Sequence, residues 1–130
     1  MGIVVGYLPT PEGRAALEAA IEEARHRHTR VVVVVSERPD VPEEERSAIE
    51  ADLDRVRADL TSADVAHEVR LLTGGDVADD LISTAEEVGA QLVVLGLRRR
   101  SPVGKLILGG NAQRVLFDAP CPVLTVKPVV

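Results

Sequence analysis

The sequence predicts a doubly wound α/β fold, and three observations carry that prediction. Short runs of Val, Ile and Leu alternate along the chain with longer segments of helical period. The runs are continuous rather than alternating, as in the five valines at 31–35, which suits strands covered on both faces by helices. Residues that start and stop helices stand between them.

The strand-like runs are 3–8, 31–35, 65–72, 92–97 and 123–126. In the third, His67, Val69 and Leu71 alternate with Glu68 and Arg70, the pattern of a less covered, edge-like strand. Between the runs, Leu17, Ile21 and Ala24 recur at helical spacing, as do Ile49, Leu53, Val56 and Leu60, then Val77, Leu81, Ala85 and Val88. Thr10-Pro11-Glu12 supplies an N-cap, a proline at the first helical position and an early acid; Pro42 with Glu43, Glu44 and Glu45 repeats the start. Asp76, after Gly74-Gly75, caps the third helix and Gly89 closes it. A last helix is expected over 112–117, with Asn111 as a candidate N-cap. Right-handed crossovers turn this order into a Rossmann-like five-stranded parallel sheet with helices on both faces, in a single domain spanning 1–130.

Size and composition agree. At 130 residues, about two-thirds of the extended chain's surface can be buried, enough for a core without staples. With 45% apolar and 28% charged residues, the composition is globular. The aromatics are Tyr7 and Phe117 alone, which removes the stacking platforms of single-strand binders; with a net charge of −6, no nucleic-acid partner is expected. One cysteine, Cys121, leaves no internal disulfide, so a reducing, cytoplasmic location is expected. The Met1-Gly2-Ile3-Val4-Val5 start lacks a basic leader, and no apolar run reaches membrane-spanning length. No membrane partner is expected.

Ligands of doubly wound sheets sit beyond the carboxyl ends of the strands, where strand order reverses. Two loops qualify, after strands one and four. The second is long for a βα connection, a property of functional loops. From Gly96 to Arg114 the chain carries five basic residues and no acid, +5 against −11 for the remainder. Gly109-Gly110-Asn111 at a helix start lets main-chain amides approach an anion, phosphate above all. The blander reading is a glycine turn, an Asn cap and a solvated run of arginines.

At this segment the chain resembles the universal stress protein family, whose nucleotide-binding members carry G-2x-G-9x-G-[S/T] after the fourth strand. The resemblance spans nearly the whole chain: Ile3-Val4-Val5-Gly6-Tyr7, Pro11-Glu12-Gly13-Arg14-Ala15-Ala16-Leu17, Leu92-Val93-Val94-Leu95-Gly96, the loop 98–105, and the ending 119–126. Gly96 and Gly109 match the first and third glycines. Arg99 stands at the second, Gly110 at the Ser/Thr position, and Leu8 where similar members carry an acid that contacts the nucleoside. Leu8 cannot accept a hydrogen bond; losing one to a charged group costs about 1.5–3 kcal/mol, roughly 10- to 100-fold in affinity. Arg99 blocks close backbone approach yet offers a guanidinium to phosphate oxygens.

Carried over position by position, the resemblance implies contacts from Pro9 and Thr10, from the backbone at Val35 and Ser36, and from Gly96, Arg99, Gly109, Gly110, Asn111 and Ala112. The implied ligand is ATP or AMP, with Mg2+ accompanying ATP. The implied assembly is a homodimer through the C-terminal strand, an edge whose unpaired backbone invites a partner.

Other signatures fail. Gly6-Tyr7-Leu8-Pro9-Thr10-Pro11 is not G-x-G-x-x-G. Gly104-Lys105 is followed by Leu106, and Arg99 stands five residues before Gly104, so no P-loop forms. No serine sits in a G-x-S-x-G elbow. His26 and His28 lie two apart and read as helix-end residues rather than ligands, and His67 as an edge-strand position; no metal site is expected. Asp79 and Asp80 read as first-turn acids, and Cys121 as a small buried filler. No catalytic residue is assigned, and slow ATP hydrolysis would lack an identifiable general base. Two functions remain open: a nucleotide-binding regulatory dimer in a stress response, and a dimeric stress-related interaction module with a vestigial pocket.

Overall fold

The elements β1 (Ile3–Gly6), α1 (Pro11–Arg27), β2 (Val31–Glu37), α2 (Glu43–Ser62), β3 (His67–Thr73), α3 (Val77–Val88), β4 (Leu92–Gly96), α4 (Gly110–Asp118) and β5 (Val123–Val126) follow one another along the chain. They belong to a computed structural model in which residues 1–73, 75–97 and 109–128 are described. The strands pair in parallel in the order β3-β2-β1-β4-β5, so the fold is the α/β sheet expected from the sequence. β3 and β5 are its edges.

The valine runs sort onto two faces by simple alternation. Ile3, Val5, Val31, Val33, Val35, Leu92 and Val94 join Leu17 and Ala20 of α1 and Leu53, Val56 and Leu60 of α2 in one buried cluster. Val4, Val32, Val34, Val93 and Leu95 join Ala78, Leu81 and Ala85 of α3 and Val115 of α4 in the other. All five valines at 31–35 are buried, and full burial of each such side chain contributes roughly 1.5–3 kcal/mol before entropy is counted. The partly buried positions of β3 follow from its place at an edge.

Helix boundaries follow the capping chemistry. The Thr10 hydroxyl oxygen accepts from the Gly13 amide at 3.1 Å, with Pro11 opening α1. The Asp76 carboxylate accepts from the Ala78 amide at 2.7 Å, and Gly89 closes α3 at φ 61°. His28 ends α1 in the left-handed region, its amide donating to the Ala24 carbonyl.

Several boundaries differ from the expectations. β1 stops at Gly6 rather than 8, because the chain turns where the Thr10 amide donates to the Leu8 carbonyl at 2.8 Å. β2 runs on to Glu37, paired through Ser36 and Glu37 with Leu72 and Thr73. β3 begins at His67 and β4 ends at Gly96. Pro42 occupies the N-cap of α2, with Glu43 the first helical residue. α4 begins at Gly110, so its N-cap is Gly109 and not Asn111. With no side chain at Gly109, no side-chain hydrogen bond closes that end. Among the described residues no helix is long and apolar enough to cross a membrane.

Candidate functional site

β1 and β4 are neighbours whose following helices, α1 and α4, pack on opposite faces of the sheet. This is the topological switch point, where the chain leaves a crevice above the strand ends. A cleft of about 280 Å³ opens there, close to the lower end of ligand pockets, about 300–1,000 Å³.

The first wall is the start of α1, contributing Leu8, Thr10, Glu12 and Gly13. Two glycines let that helix end close on the sheet. A Cβ at Gly13 would stand 2.0 Å from the Leu8 carbonyl oxygen, and one at Gly96 would stand 2.1 Å from that of Glu12. Gly96, singled out as a ligand contact, therefore has a packing role sufficient to require glycine.

The second wall comes from the end of β2. Val34 and Ser36 face the cleft, and the Ser36 hydroxyl donates to Asp80 Oδ2 at 2.7 Å. Val35 points to the opposite face, buried among the α1 and α2 side chains. The period of two along a strand was the available signal: if 36 faces the cleft, 34 does too.

The third wall is the start of α4, where Gly109, Gly110, Asn111 and Ala112 line the opening. The first-turn amides of a helix have no acceptor within it. Among the described residues, a Cβ at Gly110 would meet nothing within 4 Å. Beneath lie Gly6, Val77, Leu81, Leu95 and Val115, an apolar floor.

Thus Thr10, Ser36, Gly96, Gly109, Gly110, Asn111 and Ala112 converge on one cleft. Pro9, exposed in the turn, and Val35 do not line it. Arg99 lies outside the described residues, as do Arg98, Arg100 and Lys105 of the basic segment. Arg114, the remaining base of that segment, is engaged elsewhere: it donates to Asp76 at 3.1 Å and also to Asp79. Those acids hold its guanidinium above its usual range, the hydrogen bond to Asp79 first. First-turn acids of α3 therefore tie that helix to α4, and Asp80 ties it to β2. Sequence pattern gave Asp79 and Asp80 a dipole role only, because neither partner is near them in the chain.

Glu12 is also newly placed in the cleft wall. It is the only charged side chain among the described residues lining the cleft, so their electrostatics are opposite to those anticipated from the basic segment. Leu8 stands half-exposed at the rim. On the far side of the sheet, the Tyr7 hydroxyl donates to Asp52 Oδ2 at 2.5 Å, and Arg14 meets the same carboxylate at 3.2 Å.

Elsewhere the expected bland roles have structural partners. His67 Nδ1 lies 2.9 Å from the Val65 carbonyl oxygen, and His26 lies 3.9 Å from Glu22 one turn earlier. Cys121 packs against the second core cluster, and burial pushes its thiol up from the ordinary range, away from nucleophilic use. Among the described residues no group of three or more His, Cys, Asp and Glu could hold a metal ion.

The donor set fits a nucleotide in outline: an apolar floor for a base or sugar, first-turn amides of α4 without an acceptor in their own helix for a phosphate, and hydroxyls at Thr10 and Ser36. A parallel sheet in this order, with its cleft between β1 and β4 at the start of a glycine-opened helix, defines a doubly wound α/β protein of the switch-point class. The universal stress protein family model matches residues 1–127, and the chain belongs to that family. A universal stress protein of Mycolicibacterium smegmatis is 43% identical over 97% of each chain. A universal stress protein structure from Archaeoglobus fulgidus superposes with TM-score 0.84 at 34% identity, covering 98% of both chains. Another from that organism, in complex with dAMP, gives TM-score 0.79 at 29% identity, again over 98% of both.

Proposed function

We propose that this chain is a nucleotide-binding regulatory protein of the stress response, holding ATP or AMP in the β1/β4 cleft. The observation that carries this reading is the start of α4: its first turn, Gly109, Gly110, Asn111 and Ala112, lines the same cleft as the apolar Leu81, Leu95 and Val115, and first-turn amides have no acceptor within their own helix. The similar Archaeoglobus fulgidus protein in complex with dAMP supports an adenine nucleotide as the ligand class. Phosphate would lie at Gly110, Asn111 and Ala112, with Arg99 as a further phosphate contact. The nucleoside would lie toward Thr10 and Ser36. Mg2+ would accompany ATP. The cytoplasm is the proposed location.

A homodimer through β5 completes the proposal. β5 is a sheet edge, and its partly buried Val123 and Leu124 contact the two core clusters from opposite faces. Sedimentation of the wild type should report a dimer, and Leu124→Lys a monomer; a monomeric wild type removes the claim.

A second reading is favoured by two specific residues. Leu8 stands at the cleft rim where an acceptor would be useful, and Glu12 supplies the wrong sign for a bare phosphate. On that reading the chain is a dimeric interaction module whose pocket is vestigial. Calorimetric titration of nucleotide-free protein with ATP, AMP and pyrophosphate separates the two, with Arg99→Glu alongside. Heat with adenine nucleotides, reduced by the variant, is expected. Absence of heat at millimolar ligand would leave only the interaction module, and pyrophosphate binding without adenosine preference would reduce the site to a phosphate cradle.

A further inference from the structure

The two hydroxyl side chains of the cleft have opposite hydrogen-bonding characters. A hydroxyl carries one proton and two lone pairs. The Thr10 oxygen accepts from the Gly13 amide at 3.1 Å, which leaves its proton available. The Ser36 hydroxyl donates its single proton to Asp80 Oδ2 at 2.7 Å. A carboxylate only accepts, so toward the cleft Ser36 is an acceptor and nothing else. Asp80 is not part of the lining. It stands behind Ser36 on α3, its other oxygen against the Gly75 turn, where a Cβ would come within 2.7 Å of Oδ1.

Position determines which part of a ligand meets that acceptor. Ser36 follows Val34 by one strand period, on the sheet face that carries Leu81 and Leu95. β1 lies between β2 and β4, so with strands about 4.8 Å apart Ser36 is roughly 10 Å across the sheet from the end of β4. α4 belongs to the crossover from β4 to β5. A nucleotide with its phosphate at the first turn of α4 therefore presents its far end, the base, to Ser36. Leu8 at the rim has no acceptor to offer that base.

We propose that Asp80 is a positioning residue for base selection: by engaging the Ser36 proton it makes Ser36 an obligate acceptor, so the cleft prefers a purine that presents an amino group there, adenine, over one that presents a carbonyl, hypoxanthine or guanine. The proposal rests on the reading of this cleft as a nucleotide site and deepens it by naming the pair of residues that reads the base.

The test is calorimetric titration of wild type, Ser36→Ala and Asp80→Ala with AMP, with IMP and with purine riboside monophosphate, which carries neither the amino group nor the carbonyl. Wild type should bind AMP tightest and IMP weakest, roughly tenfold or more apart. In Ser36→Ala the three affinities should draw together, chiefly by a loss for AMP. In Asp80→Ala the freed hydroxyl can turn and donate, so IMP should bind several-fold tighter than to wild type, a gain that misfolding cannot produce. Asp80→Asn, nearly the same shape, should move in the same direction and serves if melting curves show Asp80→Ala to be unfolded. Equal wild-type affinity for AMP and IMP overturns the proposal, as does a preference kept in full by every variant. A preference abolished in Ser36→Ala but unchanged in the Asp80 variants also overturns it, since Ser36 would then act without Asp80. If wild type binds none of the three nucleotides, the nucleotide reading itself falls, and this proposal with it.

Discussion

The Ser36 hydroxyl donates to Asp80 Oδ2 at 2.7 Å, joining the end of β2 to the first turn of α3 across 44 positions of sequence. The bond sits at the cleft wall and determines which way the Ser36 oxygen presents its remaining lone pairs. Asp80→Ala should cost about 1.5 kcal/mol, the value of a hydrogen bond to a charged acceptor. Urea unfolding measures it, and an Asp80→Ala, Ser36→Ala double variant no worse than either single variant shows that the two act as a pair.

Gly96 has no room for a side chain. The Glu12 carbonyl oxygen would lie 2.1 Å from a Cβ there, and backbone cannot yield as a flexible side chain can. Gly96→Ala should destabilise by about 2 kcal/mol or more even with no ligand present. Gly110→Ala, whose new Cβ meets nothing within 4 Å among the described residues, should leave stability nearly unchanged and act on ligand binding alone. Unfolding midpoints of the two variants side by side check the contrast.

Tyr7 gives a pH prediction with a clean probe, since the chain has one tyrosine and no tryptophan. Burial first, then the hydrogen bond to Asp52, holds its phenol above the usual range. The folded chain thus keeps the proton more tightly than the unfolded one. The stability this contributes is complete below about pH 10, where an unfolded phenol ionises, and is lost as pH rises toward the higher folded value. Phenolate absorbance of folded protein should stay low beyond pH 10 until unfolding, and Tyr7→Phe should flatten the alkaline fall in stability. Ionisation near the ordinary value in the folded protein would contradict both.

Glu37 is a buried acid at the end of β2. Its side chain is 1% exposed, Arg46 meets Oε1 at 3.4 Å, and Oε2 has no partner among the described residues. Arg46→Ala should strand the carboxylate and cost about 1–3 kcal/mol, even though the arginine itself is 45% exposed. Adding Glu37→Gln should recover part of that loss, because the charge that needed compensation is gone. Thermal melts of the single and double variants at neutral pH read the difference.

The alternation of valine runs with amphipathic segments determined the doubly wound sheet, because continuous β-branched runs are stable only where helices cover both faces. Thr10, Asp76 and Gly89 were legible as caps because capping is a matter of a few adjacent residues. The region of the site was legible too: Gly109 and Gly110 at a helix start after the fourth strand pointed to the switch point. Tertiary structure decided what depends on residues distant in the chain. Sidedness within β2 put Val34 rather than Val35 at the cleft. Packing made Gly96 a contact for the Glu12 carbonyl and drew that acid into the wall. Arg114, counted by sequence among the cations of the ligand loop, is bound instead by Asp76 and Asp79, 38 and 35 positions away. Local interactions are written in neighbouring residues, whereas the electrostatics of a cleft arise only when separate elements are brought within a Debye length of one another.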